Sequence, residues 1–186
     1  MSTPRSSPRA PRVPRRKRIP LATALAVARE LSRRLVFAGR RAVRAAVHLV
    51  GSARRGARRS ADVDLLVVVP PRRALSELAL RGRGRAALGR ASGGERHRVV
   101  AARWGRTPVT LDLFATTAQA LPFALFHWTG PAAYNVRTRA LARRQGRRLN
   151  QYGLFDIASG RRVGRARTER DVARLVGVRW RRPEDR

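Results

Sequence analysis

Six aspartates occur in the chain, and three of them stand inside or beside β-branched apolar runs. Asp62 and Asp64 fall in "SADVDLLVVV", and Asp112 falls in "VTLDLF". Residues two apart in a strand project to the same side, so Asp62 and Asp64 point together. Asp112 lies between Leu111 and Leu113 and faces away from the apolar side of its own strand. Like charges at this spacing repel, and partial burial adds to the penalty. A divalent cation offsets both. Hard carboxylate oxygens suit Mg²⁺ or Mn²⁺. Two such ions about 3.5–4 Å apart, bridged by shared carboxylates, are the arrangement for in-line displacement at phosphorus. The spacing of Asp62 and Asp64 alone also fits exposed aspartates paired with the abundant arginines.

The stretch before the pair, "GSARRGARRS", adds a place for phosphate. Gly51 and Ser52 end one apolar segment and open a short helix, whose first N–H groups favour anions. Ser52 brings a hydroxyl, and Arg55 brings a bidentate fork for phosphate oxygens. A phosphate cradle beside metal-binding carboxylates describes nucleotidyl transfer.

These side chains need elements to hold them. Leu21, Leu25, Ala28, Leu31 and Leu35 recur at helical spacing, with Pro20 in the first turn. "RAVRAAVHLV" reads as a strand running into Gly51, and "ADVDLLVVVP" as a strong strand closed by Pro70 and Pro71. "RALSELALRGRG" starts as a helix and ends at glycine. "RHRVVAARWG" and "TPVTLDLFA" read as two strands with Gly105 in the turn. Two helices follow in "TAQALPFALFHWTG" and "PAAYNVRTRALARRQG". "RRLNQYGLFD" and "RRVGRA" then flank "IASG" as a hairpin. Thr168 with Asp171 forms a capping box for a last helix ending near Gly177. Mixed strands before a helical lobe make the fold class α+β.

Composition narrows the partners. The chain carries 43 Lys+Arg against 11 Asp+Glu, a formal net charge of +32, and Lys17 is its one lysine. Such a field favours polyanions, nucleic acid before anionic membranes, although a GC-rich genome also enriches arginine. Hydrophobic residues at 43% suffice for a core. The absence of cysteine excludes disulfides and thiolate metal sites. No apolar run reaches the length of a membrane span and no secretory signal opens the chain. Residues 1–17, rich in Pro, Arg and Ser, read as a disordered basic tail. Its "PRRKR" is either a nuclear address or a non-specific nucleic-acid contact.

"GSARRGARRSADVDLL", "VTLDLF" and "HWTGPAAYNVRTRALARRQGRRLNQYGLFD" together resemble the family X DNA polymerases, typified by DNA polymerase beta. The resemblance begins at "RIP" and covers roughly residues 18–186. It implies a nucleotidyltransferase palm over residues 18–118, a mixed β-sheet with helices on one face. A small helical and hairpin lobe over residues 119–186 would bind nucleotide and template. It implies Asp62 and Asp64 as ligands of two Mg²⁺ or Mn²⁺ ions, with Asp112 completing the catalytic site beside the primer 3′-hydroxyl. Gly51, Ser52, Arg55, Ser60 and Arg18 would hold the triphosphate. Asn135 would touch the incoming base, Arg139 the template strand, and Tyr152 the closing lobe. His127–Trp128 takes the place of the family's sugar-contacting aromatic pair, followed by Gly130. The implied reaction is DNA-directed addition of dNTPs to a primer in short-gap repair, by a monomer acting on gapped or primer–template DNA. The site of action would be the nucleus or a viral replication site.

Several residues depart from the family pattern. Thr110 stands where an arginine is usual, and Gln151 where an acid is usual, which places the closure network in question. Pro131 follows Gly130 at the family's cis Gly–Ser bond, so a cis Gly130–Pro131 bond is expected to make the same bend at lower cost. With 17 residues before the palm and only Lys17, no deoxyribose-phosphate lyase activity is expected. Compact members of this kind occur in some large DNA viruses. Arginine-rich surfaces are expected to replace a duplex-gripping module, making DNA affinity fall steeply with salt. A template-independent nucleotidyltransferase, and a basic DNA-binding protein without turnover, are the competing readings.

Overall fold

The computed structural model describes residues 18–186. The expected disordered tail over residues 1–17, with Lys17, lies outside the described residues. The amino-terminal part runs β1 (Ile19–Pro20), α1 (Leu21–Arg34), β2 (Leu35–Phe37), β3 (Val43–Arg44), β4 (Ala46–Leu49) and α2 (Gly51–Arg54). It continues with β5 (Arg59–Ser60), β6 (Val63–Val68), β7 (Leu78–Leu80), β8 (Ala86–Gly93), β9 (His97–Trp104) and β10 (Thr107–Thr116). The remainder is α3 (Leu121–Thr129), α4 (Ala132–Arg144), β11 (Arg147–Asn150), β12 (Gly153–Asp156) and α5 (Glu169–Val176). The architecture is α+β.

The central sheet has the order β4-β6-β10-β9-β8. β6 and β10 run parallel and the other neighbours antiparallel, so the sheet is mixed. Alternation along β6 and β10 sorts their side chains onto two faces. Val63, Leu65, Val67, Leu111 and Leu113 are buried with Ala24, Val27, Ala28 and Leu31 of α1. Leu66 and Phe114 point the other way and pack with Val50 and Ala124, the last from α3. α1 thus covers one face, and α3 covers part of the other. A second core, including Phe123, Phe126, Tyr134, Leu149, Leu154, Val172 and Val176, closes the carboxy-terminal lobe.

Several local expectations need correction. Pro20 is not in the first helical turn: it precedes α1 with ψ 152°, held in the short β1–β5 ladder opposite Arg59. Leu25 is 42% exposed, because the buried stripe of α1 runs through Ala24, Val27, Ala28 and Leu31 instead. Leu35 has left the helix and pairs with Leu80 in a small sheet ordered β3-β2-β7. "RALSEL" makes only one 3₁₀ turn, Leu75–Glu77, and the following leucines become β7 because β2 offers an edge to pair with. β8 has no clear signal in "AALGRASG", whose small residues have weak strand preference. Pairing with β9 makes it a strand, with an irregularity between Leu88 and Ala91. The paired strands β11 and β12 turn at Gln151–Tyr152, with Asn150 opposite Gly153, and the chain turns back a second time through "IASG" as expected. Asn150 Oδ1 accepts hydrogen bonds from the backbone N–H groups of Tyr152 (2.8 Å) and Gly153 (3.1 Å), the side-chain turn chemistry typical of asparagine. "RRVGRA" contributes a single bridge, Arg162 to Phe155.

Other expectations hold. The capping box of Thr168 and Asp171 opens α5, and Gly177 closes it with φ 77°. The Gly130–Pro131 peptide is cis.

Candidate active site

Parallel pairing of β6 and β10 sets Asp112 abreast of Asp64, in register with Val63 beside Leu111. Asp62 stands just before β6, two residues earlier and on the same side. One carboxylate oxygen from each of Asp62, Asp64 and Asp112 lies within 4.8 Å of the others, and all three residues are half-buried. Three hard oxygen donors at this separation, open to solvent on one side, fit Mg²⁺ or Mn²⁺ and do not match a thiolate- or imidazole-rich site.

The cradle is built onto this cluster. Val50 N–H donates to the Asp64 carbonyl at 2.9 Å, which seats the start of α2 against β6. Gly51 has φ 65°, and a Cβ there would lie 1.8 Å from Asp64 Oδ2. Only glycine lets the backbone pass so close to the carboxylate. Ser52 and Ser60 are brought together, with their hydroxyls 3.0 Å apart. α2 is only four residues long, so it supplies a turn of N–H groups rather than a long helix dipole. Arg55 donates to the Thr129 carbonyl just before the cis bond. Burial lowers its pKa from the usual guanidinium value; Asp64 opposes that shift and Arg186 adds to it. Arg18 is exposed, and its carbonyl accepts from Arg59 at 3.1 Å; β1 places its backbone beside Ser60.

The nucleotide-side candidates gather on α3 and α4. His127 Nδ1 lies 2.8 Å from Arg139 Nη2. Burial, then the Arg139 charge, pulls its pKa down from 6.5 to about 4, so the ring is neutral at pH 7 and can accept from the guanidinium. Asn135 Nδ2 donates to the His127 carbonyl at 2.7 Å, tying α4 to α3. Gly130, with φ 62°, forms the corner between these helices. Tyr152 is 41% exposed at the hairpin tip, where Arg96 of the palm lies 6.0 Å from its ring centre.

Two groupings escape the sequence reading, although Trp128 by itself does not. One is an aromatic stack, in which Phe114 packs on Trp128 at 3.7 Å and on His97 at 4.7 Å. Its signal is the period-2 step from Asp112 to Phe114, but the partner across β9 is visible only in the register. The other is a charged junction. Arg54 pairs with Glu169 at 2.5 Å and donates to the Thr129 hydroxyl. Arg186 pairs with Glu169 at 2.9 Å and lies over the rings of Phe126 and Tyr134. Arg54 and Arg186 are lost among many arginines in the sequence; Glu169 is one of few acids, and its burial is the distinguishing feature.

A palm sheet with three clustered carboxylates and a Gly-Ser turn defines the class as a nucleotidyltransferase. The nucleotidyltransferase domain family model matches residues 28–114, and the DNA polymerase beta thumb family model matches residues 124–186. The chain is 35% identical over 139 residues to repair DNA polymerase X of African swine fever virus, covering 74% of this chain and 79% of that protein. It is 34% identical over 79 residues to human DNA-directed DNA/RNA polymerase mu, covering 42% of this chain and 16% of that one. Among solved structures it resembles Leishmania infantum polymerase beta in a ternary P/T complex, with TM-score 0.69 and 19% identity. That likeness covers 92% of this chain and 77% of the other. The chain belongs to the family X DNA polymerases and is a transferase enzyme. Among the described residues, no helix is long and apolar enough to cross a membrane.

Proposed function

We propose that this protein is a DNA-directed DNA polymerase that adds dNTPs to a primer 3′-hydroxyl and fills short gaps during repair. The carboxylate cluster carries this reading, because three oxygens within 4.8 Å sit on one face of a palm sheet. In it, Asp62, Asp64 and Asp112 would hold the divalent cations, with Asp112 completing the catalytic site beside the primer 3′-hydroxyl. When bound, these cations neutralise triphosphate charge and make the primer hydroxyl a better nucleophile. Ser52 and Ser60 donate hydroxyls to the phosphates, with Arg55 as the fork and Gly51 allowing close approach. Arg18 is an outer contact. His127, Trp128, Gly130 and Asn135 shape the nucleotide pocket, Arg139 faces the template and Tyr152 the closing lobe. Asn135 would keep one amide N–H on the His127 carbonyl and has a second N–H and its oxygen for the incoming base.

Residues 18–118 act as palm and 119–186 as the nucleotide and template lobe of a monomer. With so positive a surface, phosphate neutralisation dominates affinity. The expected slope of log K against log salt is steep, and a flat plot would overturn that part. The swine fever virus protein is named a repair polymerase, and the Leishmania enzyme is solved in P/T and gap complexes. These names support the repair and gap reading. The pair His127–Trp128 also favours a second reading, addition without a template. One assay separates them: extension of a one-nucleotide gap and of a single strand, with each dNTP and rNTP, in Mg²⁺ and Mn²⁺. Incorporation of the complementary dNTP at the gap is expected. Equal extension of the single strand would establish the second reading, and no extension of either would overturn both.

A further inference from the structure

The strand next to β10 sets an imidazole beside the Asp112 carboxylate. His97 opens β9 directly opposite Phe114. From there its Nε2 reaches diagonally to Asp112 Oδ1, at 3.5 Å. The imidazole plane is set by packing, lying 8° from the Phe114 ring at 4.7 Å, and Phe114 in turn lies 17° from Trp128 at 3.7 Å. The His97 side chain is 47% exposed, whereas that of Asp112 is 15% exposed. A half-exposed histidine adds little to the core, so burial alone does not account for its place over the carboxylate face.

We propose that His97 is a positioning residue for Asp112: its ring, held flat by Phe114, keeps Nε2 beside Oδ1 at ion-pair distance and thereby biases the carboxylate's orientation toward a divalent cation. Outer partners that orient a metal-ligating group commonly change metal affinity 10- to 100-fold when removed. The arrangement also ties the carboxylate to α3, because Trp128 completes the stack. The inference rests on the proposed polymerase site, and metal binding tests it independently of turnover.

Two full-length variants isolate the N–H from the ring. His97→Phe keeps the aromatic stack and loses the donor. His97→Gln loses the stack and keeps a donor. Mn²⁺ affinity is read from the free-ion EPR signal, and single-turnover incorporation is read beside KM for dNTP and Kd for gapped DNA. His97→Phe is expected to weaken Mn²⁺ binding about 10-fold and slow single turnover about 10-fold, leaving KM and DNA Kd within about twofold. His97→Gln is expected to recover most of both losses. Wild-type values for His97→Phe would overturn the proposal, as would equal losses in both variants, which would assign the effect to the stack. If the wild-type protein binds Mn²⁺ but incorporates nothing, the polymerase reading fails while the Mn²⁺ titrations still decide the role of His97.

Discussion

The carboxylate face of the central sheet and the junction with the carboxy-terminal lobe are built from opposite materials. At the first, three acids are set by strand register, with Asp64 and Asp112 paired abreast in β6 and β10. Backbone hydrogen bonds along the ladder hold that register once the apolar side chains have set it. At the second, side chains themselves form the joint: Arg54 and Arg186 meet on Glu169, while Arg54 and Arg55 grip Thr129. Two guanidinium groups converge on one buried carboxylate. The carboxylate cluster therefore rests on a hydrogen-bonded ladder, and the placement of α3 and α4 rests on an ionic joint.

This contrast can be broken at either end. Asp112→Ala should reduce gap incorporation by about 10³-fold, the upper scale for removing one preorganised electrostatic group, while gapped-DNA affinity stays unchanged. Retained turnover would show that the ladder does not hold the chemistry. Glu169→Ala leaves Arg186, whose side chain is wholly buried, without that partner. A loss of about 3–5 kcal/mol is expected in urea denaturation. Mn²⁺ binding at the carboxylates should not change, and a large change would mean the two regions are one unit.

Gly51→Ala probes the seam between ladder and cradle. Its Cβ would collide with the Asp64 carboxylate, in a backbone conformation that also disfavours alanine. A carboxylate displaced by about 1 Å should lower incorporation by about 10²-fold, with a smaller stability loss of about 1–2 kcal/mol. A stability loss without an activity loss would contradict the close seating of α2 on the site.

The smallest effect concerns pH. His127 has a folded pKa of about 4, below its ordinary 6.5, so the unfolded chain binds the extra proton first as pH falls. The associated stability is present above pH 6.5 and is lost as pH drops toward 4. Thermal melts at pH 7 and pH 4.5 should differ more for the wild type than for His127→Gln. Equal differences would mean that burial of His127 beside Arg139 does not exclude the proton.

Much of the site was legible because its signals are local. Asp62 and Asp64 are two apart in an apolar run, Gly51–Ser52 precede them directly, and Asp112 interrupts its own strand between leucines. The two lobe helices and the Thr168–Asp171 cap were likewise written in contiguous residues. Legibility failed where pairing overrode propensity. "RALSELAL" has helical residues, yet its leucines complete a sheet with β2. "AALGRASG" has few strand formers, yet β9 recruits it. The β11–β12 turn falls at Gln151–Tyr152 because Asn150 caps it, a local signal that the expected "IASG" turn obscured.

Residue type and period alone determined that this chain presents paired carboxylates beside a Gly-Ser turn in a strongly positive field. Those features follow from alternation along a strand and from charge count, which need no knowledge of distant neighbours. The tertiary structure decided which carboxylate stands beside which, because parallel register between β6 and β10 is set by the burial of Val63, Leu65, Leu111 and Leu113 against α1. It also decided which few of the many arginines matter. Arg54, Arg55 and Arg186 are singled out by burial against Glu169 and the Thr129 corner, and the desolvation that makes them specific exists only after the two cores have closed.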